Sequence, residues 1–190
     1  MPRLFLASRS PRRAELLRQI EVPFEVLDVE VEEQPRAGEA PRDYVLRVAR
    51  DKTAAGLAQV GALPGAVVLG ADTEVVLDDA IFGKPADAAA AADMLRRLSA
   101  RRHQVLSALW CMAGSRRESA LCVSSVEFAP LDEADIAAYV ATGEPFGKAG
   151  AYAVQGRAAA FIRRLEGSHS GVMGLPLHET AMLLRHFGVF

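Results

Sequence analysis

The opening of the chain constrains its fold more than any other stretch. Leu4-Phe-Leu-Ala7 reads as a short apolar strand that passes through Ser8-Arg-Ser-Pro11 directly into a helix. Ser10 suits an N-cap and Pro11 the first helical position, where a missing N–H costs nothing. Helix starts favour acidic residues, because unpaired N–H groups and the macrodipole make that end positive. Here Arg12 and Arg13 follow the proline, cations at the wrong end. They either point into solvent or share an anion with backbone N–H groups and nearby hydroxyls. An anion held at this helix start accounts for both.

Strand and helix go on alternating. The first helix reaches Ile20, a strand covers Phe24–Asp28, and a polar loop with turn formers follows over Val31–Glu39. The pattern predicts a helix from Pro41 to about Val60 with Val45, Val48, Lys52 and Ala55 on one face. Ala66-Val-Val-Leu-Gly-Ala-Asp72 is apolar on both faces, as a central strand is. Glu74-Val-Val-Leu77 and Ala80-Ile-Phe82 flank a hairpin turn at Asp78-Asp79. Beyond it the reading is a helix over Asp87–Leu98, a hairpin of Val105–Ala113 and Ser119–Phe128, and a helix opening at Leu131. A strand over Ala159–Leu165 and a helix after Pro176 complete it. Without linker, repeat or low-complexity stretch, residues 1–190 read as one α/β domain with a mixed sheet.

At 51% hydrophobic and 24% charged residues, the chain has material for such a core. A formal net charge of −2 carries no footprint of a general nucleic-acid binder, so an anionic ligand must be met by local clustering. No apolar run is long enough to span a membrane, and the start does not read as an export signal. The expectation is a soluble, cytoplasmic protein with no nucleic-acid or membrane partner. Cys111 and Cys122 are too few for a disulfide framework or a cysteine-only zinc site. They flank Gly114–Ser119 about equally, so a hairpin over that turn would set them nearly opposite. A cross-strand bond is conceivable there, but buried free thiols are expected without export. His103, His169, His178 and His186 lack close metal-ligand spacing.

Chemistry concentrates elsewhere. Asp72 closes the predicted central strand, in the usual ligand crevice of open α/β sheets. There it can bind a metal, orient water, act as a general base or merely cap a turn. Lys52 shares a helix face with valines, so its ammonium either snorkels outward or reaches a carboxylate or phosphate. Lys84, in Phe82-Gly-Lys-Pro85, sits on a rigid turn that can aim a point charge at phosphate. Glu32 and Glu33 place two carboxylates on the polar loop. Together these residues suggest a polyphosphate held with a divalent cation, for which magnesium suits the oxygen donors. The Gly-x-x-x-x-Gly-Lys-Ser/Thr loop of P-loop NTPases and the Gly-x-Ser-x-Gly elbow are both absent from the sequence.

In order along the chain stand Leu6-Ala-Ser-Arg-Ser-Pro-Arg-Arg13, Glu33, Ala49-Arg-Asp-Lys52, Leu69-Gly-Ala-Asp-Thr73 and Gly83-Lys-Pro85. Lys148-Ala-Gly-Ala-Tyr-Ala-Val-Gln-Gly156, Leu165-Glu-Gly-Ser168 and Gly174-Leu-Pro-Leu177 follow. This ordered set resembles the Maf family, nucleoside triphosphate pyrophosphatases also known as septum-formation-inhibitor-like proteins. The resemblance implies a single domain with an elongated, twisted mixed β-sheet flanked by helices around a central cleft, commonly in a homodimer. It implies hydrolysis of a nucleoside triphosphate to the monophosphate and pyrophosphate, with Mg2+ or Mn2+. Asp72 falls at the family's proton acceptor, and Ser8, Arg13, Lys52 and Lys84 at substrate-binding positions. Glu33 matches another of its polar cleft positions, and the expectation is that Glu33, with Asp72 or the triphosphate itself, holds the divalent ion.

Arg12, Thr73 and Gln155 match the branch that prefers dTTP and UTP. The branch acting on 7-methyl-GTP carries tryptophan, glutamine and glutamate at those positions. Chemistry agrees with the match: the Gln155 amide can accept from N3–H and donate to O4 of uracil or thymine, whereas a glutamate only accepts. Alternatives at this point are the 7-methyl-GTP activity and a regulatory nucleotide-binding protein of cell division.

Overall fold

The predicted strand-to-helix start forms and immediately pairs. In the computed structural model, which describes residues 2–190, β1 (Arg3–Ala7) leads through Ser10 into α1 (Pro11–Gln19). The chain returns as β2 (Phe24–Leu27), parallel to β1. Ser10 takes the N-cap position, but its hydroxyl makes no capping bond; Ser8 Oγ instead accepts from the Ser10 N–H at 3.2 Å. After a loop, α2 (Pro41–Val60) crosses over and delivers β3 (Ala66–Leu77) parallel to β1 on its other side. Asp78 and Asp79 both adopt positive φ, 49° and 63°, which a two-residue hairpin turn needs, and β4 (Ala80–Phe82) doubles back on β3.

Past α3 (Ala88–Leu98), the hairpin of β5 (Arg102–Ala113) and β6 (Arg116–Phe128) adds antiparallel to β3. Then come α4 (Glu133–Val140), β7 (Ile162–Glu166) against β6, α5 (His169–Met173) and α6 (Leu177–His186). The result is a mixed seven-stranded sheet in the order β2-β1-β3-β5-β6-β7, with β4 beside β3.

Several predicted boundaries move. β3 does not close at Asp72 but runs on to Leu77, because Val75, Val76 and Leu77 continue its buried apolar run. The strand expected over Ala159–Leu165 starts only at Ile162; the residues before it wind into a 3-10 turn. The helix expected from Leu131 starts at Glu133, with Asp132 capping it. The long hairpin turns at Gly114-Ser115, so that Ala113 faces Arg116. That turn is tighter than the one assumed from sequence, and it shifts the cysteines out of register: Cys111 faces Glu118, and Cys122 faces Ser107. Both thiols are free and buried.

Two features of β3 open the space that matters. β1 stops beside Gly70, and β4, running back along β3, ends beside Val75. β5 fills the other edge of β3 from Val68 to Val76, so Ala71 to Glu74 have no strand on the β1 side. The faces split at the same level. On one face, Leu69 and Ala71 pack with Leu17 of α1 and Leu184 of α6, whereas Val75 and Leu77 pack with Leu95 of α3 and Tyr139 of α4. Each fully buried leucine contributes about 2 kcal/mol, so both apolar blocks are firm. Thr73 lies between them, paired with Ser107 across β5. The molecule opens along this polar seam.

Candidate active site

A cleft of about 510 Å³ occupies that opening, within the range of small-molecule sites. Ser8, Arg12, Arg13, Glu33, Lys52, Asp72, Thr73, Lys84 and Gln155 all line it, although they come from six separate stretches of chain. Sequence separation is cancelled by the sheet: β1 ends at Ala7 against Gly70, which sets Ser8 and the start of α1 beside Asp72.

The opposite face of β3 lies under α2. A Cβ at Gly70 would collide with the Thr53 hydroxyl and crowd the Ala49 carbonyl, so glycine permits the close approach of helix to strand. That approach carries Lys52 down to Asp72. Its Nζ donates to Asp72 Oδ1 at 2.8 Å and lies 2.7 Å from Glu33 Oε1, with both Lys52 and Asp72 buried. The exposed Lys84 reaches the other Glu33 oxygen, Oε2, at 2.8 Å. Burial raises the Glu33 carboxyl, but hydrogen bonds from Lys52 and Lys84 outweigh it and hold it down at about 2. The loop that carries Glu33 has no helix or strand of its own. Arg47 of α2 ties it down, gripping Glu39 through two nitrogens at 2.6 and 2.8 Å and the Gln34 carbonyl at 2.9 Å.

On the seam side, Arg13 is held by neutral oxygens. Its Nε donates to the Gly174 carbonyl at 2.8 Å, Nη1 to Ser8 Oγ at 3.3 Å and Nη2 to Thr73 Oγ1 at 3.5 Å. Gly174 ends α5 at φ 124°, a conformation glycine allows, and α5 is a helix the sequence reading did not contain. Thr73 Oγ1 lies 2.9 Å from Ser107 Oγ, which donates to the Gly171 carbonyl. Among the described residues, Arg12, Arg13 and Lys148 have no carboxylate partner. Burial lowers the pKa of all three, and for Lys148 the charge of Arg12 adds to it. Cations crowded together without counter-ions leave the anion to be supplied by a ligand. Gln155 stands exposed on the cleft wall.

Two lining residues were missed as site residues in the sequence. In the sequence Lys148 stands out only as part of a motif. Glu74 reads in the sequence as a strand residue, and the period of two in a strand puts it on the face of Asp72. Glu74 is buried, and burial followed by the Asp72 charge pushes its carboxyl up to about 8. Asp72 Oδ2 and Glu74 Oε2 are buried without a hydrogen-bond partner. Among the described residues no three Asp, Glu, His or Cys side chains converge into a ready-made metal cage. Free carboxylate oxygens beside a phosphate-sized cleft nevertheless fit a hard divalent cation, which takes one or two carboxylates and completes its shell with phosphate and water.

Fold and site together define an α/β protein with a cation-lined cleft built for an anionic ligand. Residues 3–187 match the Maf-like protein family. The chain belongs to the Maf family. It is 58% identical over 187 residues to a protein of Xanthomonas euvesicatoria pv. vesicatoria (strain 85-10) named dTTP/UTP pyrophosphatase, covering 97% of this chain and 98% of that one. A Methylococcus capsulatus protein of the same name is 59% identical over 187 residues, with 98% and 92% covered. A nucleoside triphosphate pyrophosphatase of Xylella fastidiosa (strain M23) is 55% identical over 185 residues, with 97% and 98% covered. The solved nucleoside-triphosphatase / dITP/XTP pyrophosphatase of Mycobacterium abscessus reaches a TM-score of only 0.42. It is 22% identical, with 68% of this chain and 74% of that one covered.

Proposed function

We propose that this protein, acting as one domain over residues 1–190, hydrolyses dTTP and UTP to the nucleoside monophosphate and pyrophosphate. The carrying observation is that all nine residues of the expected site line one cleft in which a buried carboxylate oxygen, Asp72 Oδ2, is left free among cations. The names of relatives at 55–59% identity support the substrate class.

Lys52 takes up Asp72 Oδ1, which leaves Oδ2 to orient a water and accept its proton. The water oxygen bonds to the α-phosphorus, the bond from that phosphorus to the bridging oxygen breaks, and pyrophosphate departs with the electron pair. Arg13, Lys52 and Lys84 balance the charge that builds on the departing phosphates, commonly the largest part of such catalysis. Ser8 and the N-terminal N–H groups of α1 bind phosphate oxygens. Glu33, with phosphate oxygens, is the carboxylate assigned to Mg2+ or Mn2+, and a bound cation would neutralise phosphate charge. Arg12, Thr73 and Gln155 select the pyrimidine, Gln155 pairing with N3–H and O4. The protein works in the cytoplasm as a homodimer in this reading.

Pyrophosphate release from dTTP, UTP, CTP, GTP and 7-methyl-GTP, with Mg2+ or Mn2+, tests it. The expected result is preference for dTTP and UTP, abolished in Asp72→Ala. Preference for 7-methyl-GTP would overturn the specificity, and no release from any substrate would overturn the activity.

A further inference from the structure

Glu74 is the carboxylate of the cleft with no part in the mechanism above. It lies two residues beyond Asp72 on the same face of β3, with 8% of its surface exposed. No lysine or arginine pairs with it among the described residues, and its Oε2 has no hydrogen-bond partner. A buried oxygen without a partner costs about 1–3 kcal/mol, more when charged, and a second carboxylate nearby on the same strand raises that cost. The apolar residues that follow, Val75, Val76 and Leu77, show that this strand can fill such positions at no polar cost. A buried acid retained against that alternative is explained by a positive ligand.

The charges around it narrow the ligand's identity. Lys52 is committed to Asp72 Oδ1 and Glu33 Oε1, and Lys84 to Glu33 Oε2. Glu33 therefore has each oxygen on a lysine, whereas the free buried oxygens on this wall belong to Asp72 and Glu74. The β3 wall is left with carboxyl oxygens that have no partner, while the cations opposite are left without an anion. A divalent cation arriving with a triphosphate corrects both.

We propose that Glu74 is a ligand of the divalent cation, its Oε2 taking the ion on the strand side of the cleft beside the Asp72 oxygen that orients the water. This rests on the pyrophosphatase reading of the same cleft. Glu33, with each oxygen also on a lysine, remains the other carboxylate of the ion, and Glu74 adds the strand-side oxygen.

The test is Mn2+ binding followed by the electron paramagnetic resonance of the free ion, on protein saturated with α,β-imido-dTTP. Glu74→Gln preserves shape and removes only the charge, and a thermal melt checks that it folds. The expected result is Mn2+ affinity weakened at least about tenfold, the size of loss seen when metal-site residues are altered. Binding of the analogue in EDTA should stay within twofold of wild type, and Glu74→Asp should recover part of the Mn2+ affinity. Wild-type Mn2+ affinity in Glu74→Gln would overturn the proposal, as would loss confined to Glu33→Gln. Wild-type turnover of dTTP separates the two readings. Turnover with Glu74→Gln still holding Mn2+ overturns the ligand alone, and absence of both turnover and Mn2+ binding in the wild type overturns both.

Discussion

Lys52 and Lys84 grip the same carboxylate at nearly the same distance, 2.7 and 2.8 Å from the two oxygens of Glu33. Their energetic weight differs because their surroundings do. The Lys52 side chain is 9% exposed and also neutralises the buried Asp72, whereas Lys84 is 59% exposed. Removing one member of a buried ion pair strands the other charge and costs about 3–5 kcal/mol, while an exposed pair is worth under about 1 kcal/mol. Lys52→Met should thus lower stability in urea by about 3 kcal/mol, and Lys84→Met by under about 1 kcal/mol, though both should impair turnover. Equal losses of stability would show that the two lysines share one environment. Residue types and spacing marked both lysines as unusual in the sequence. That they meet on one carboxylate was not legible, because the contact joins a loop, a helix and a hairpin turn distant in sequence.

At the scale of elements, the site depends on how closely α2 lies on β3. Gly70 permits the approach, and Thr53 and Ala49 of α2 take up the space. Gly70→Ala should force the helix outward at a cost of about 1–3 kcal/mol, the usual range for overpacking. It should also slow turnover, since Lys52 rides on the same helix. A chemical denaturation curve and a rate with dTTP check both; unchanged values would mean the helix has room to spare. The helix itself is legible, from Pro41 to about Val60, because the apolar period continues over that stretch. The partners of a strand were less so. Asp72 reads as a strand end because Gly70-Ala-Asp-Thr73 breaks the run of large apolar residues. Instead, it is the neighbouring strand that ends there. Cys111 and Cys122 were misplaced for a related reason: one assumption about turn length sets the register of every pair in a hairpin.

Across the whole molecule, the distal apolar block reaches the cleft through Tyr152, whose hydroxyl lies 2.9 Å from Nε2 of the buried His103. The His103 ring stands edge-on to Phe128 at 5.1 Å. Burial lowers His103 from 6.5 to about 4. Its folded-state pKa lies below its unfolded one, so the unfolded chain binds more protons in that window. Stability is accordingly full above about pH 6.5 and falls as pH drops to about 4, by about 3 kcal/mol from this group. Thermal melts from pH 8 to pH 4 should show this decline, and His103→Asn should flatten it. A decline of the same size in the variant would place the acid sensitivity elsewhere.

The sequence by itself determined the alternation of strand and helix, the cationic helix start at Arg12 and Arg13, and the identities of the polar residues from Ser8 to Gln155. Those properties are local: caps, periodicity, and residue types that have no cheap place in a core. Only the tertiary structure decided that β1 stops at Gly70 and β4 at Val75, that two apolar blocks part at Thr73, and that Glu74 is buried near Asp72 with no lysine or arginine paired to it among the described residues. These outcomes depend on which edges pair and where pairing stops. Such contacts join distant residues, and their energy is returned only after the intervening chain has been ordered.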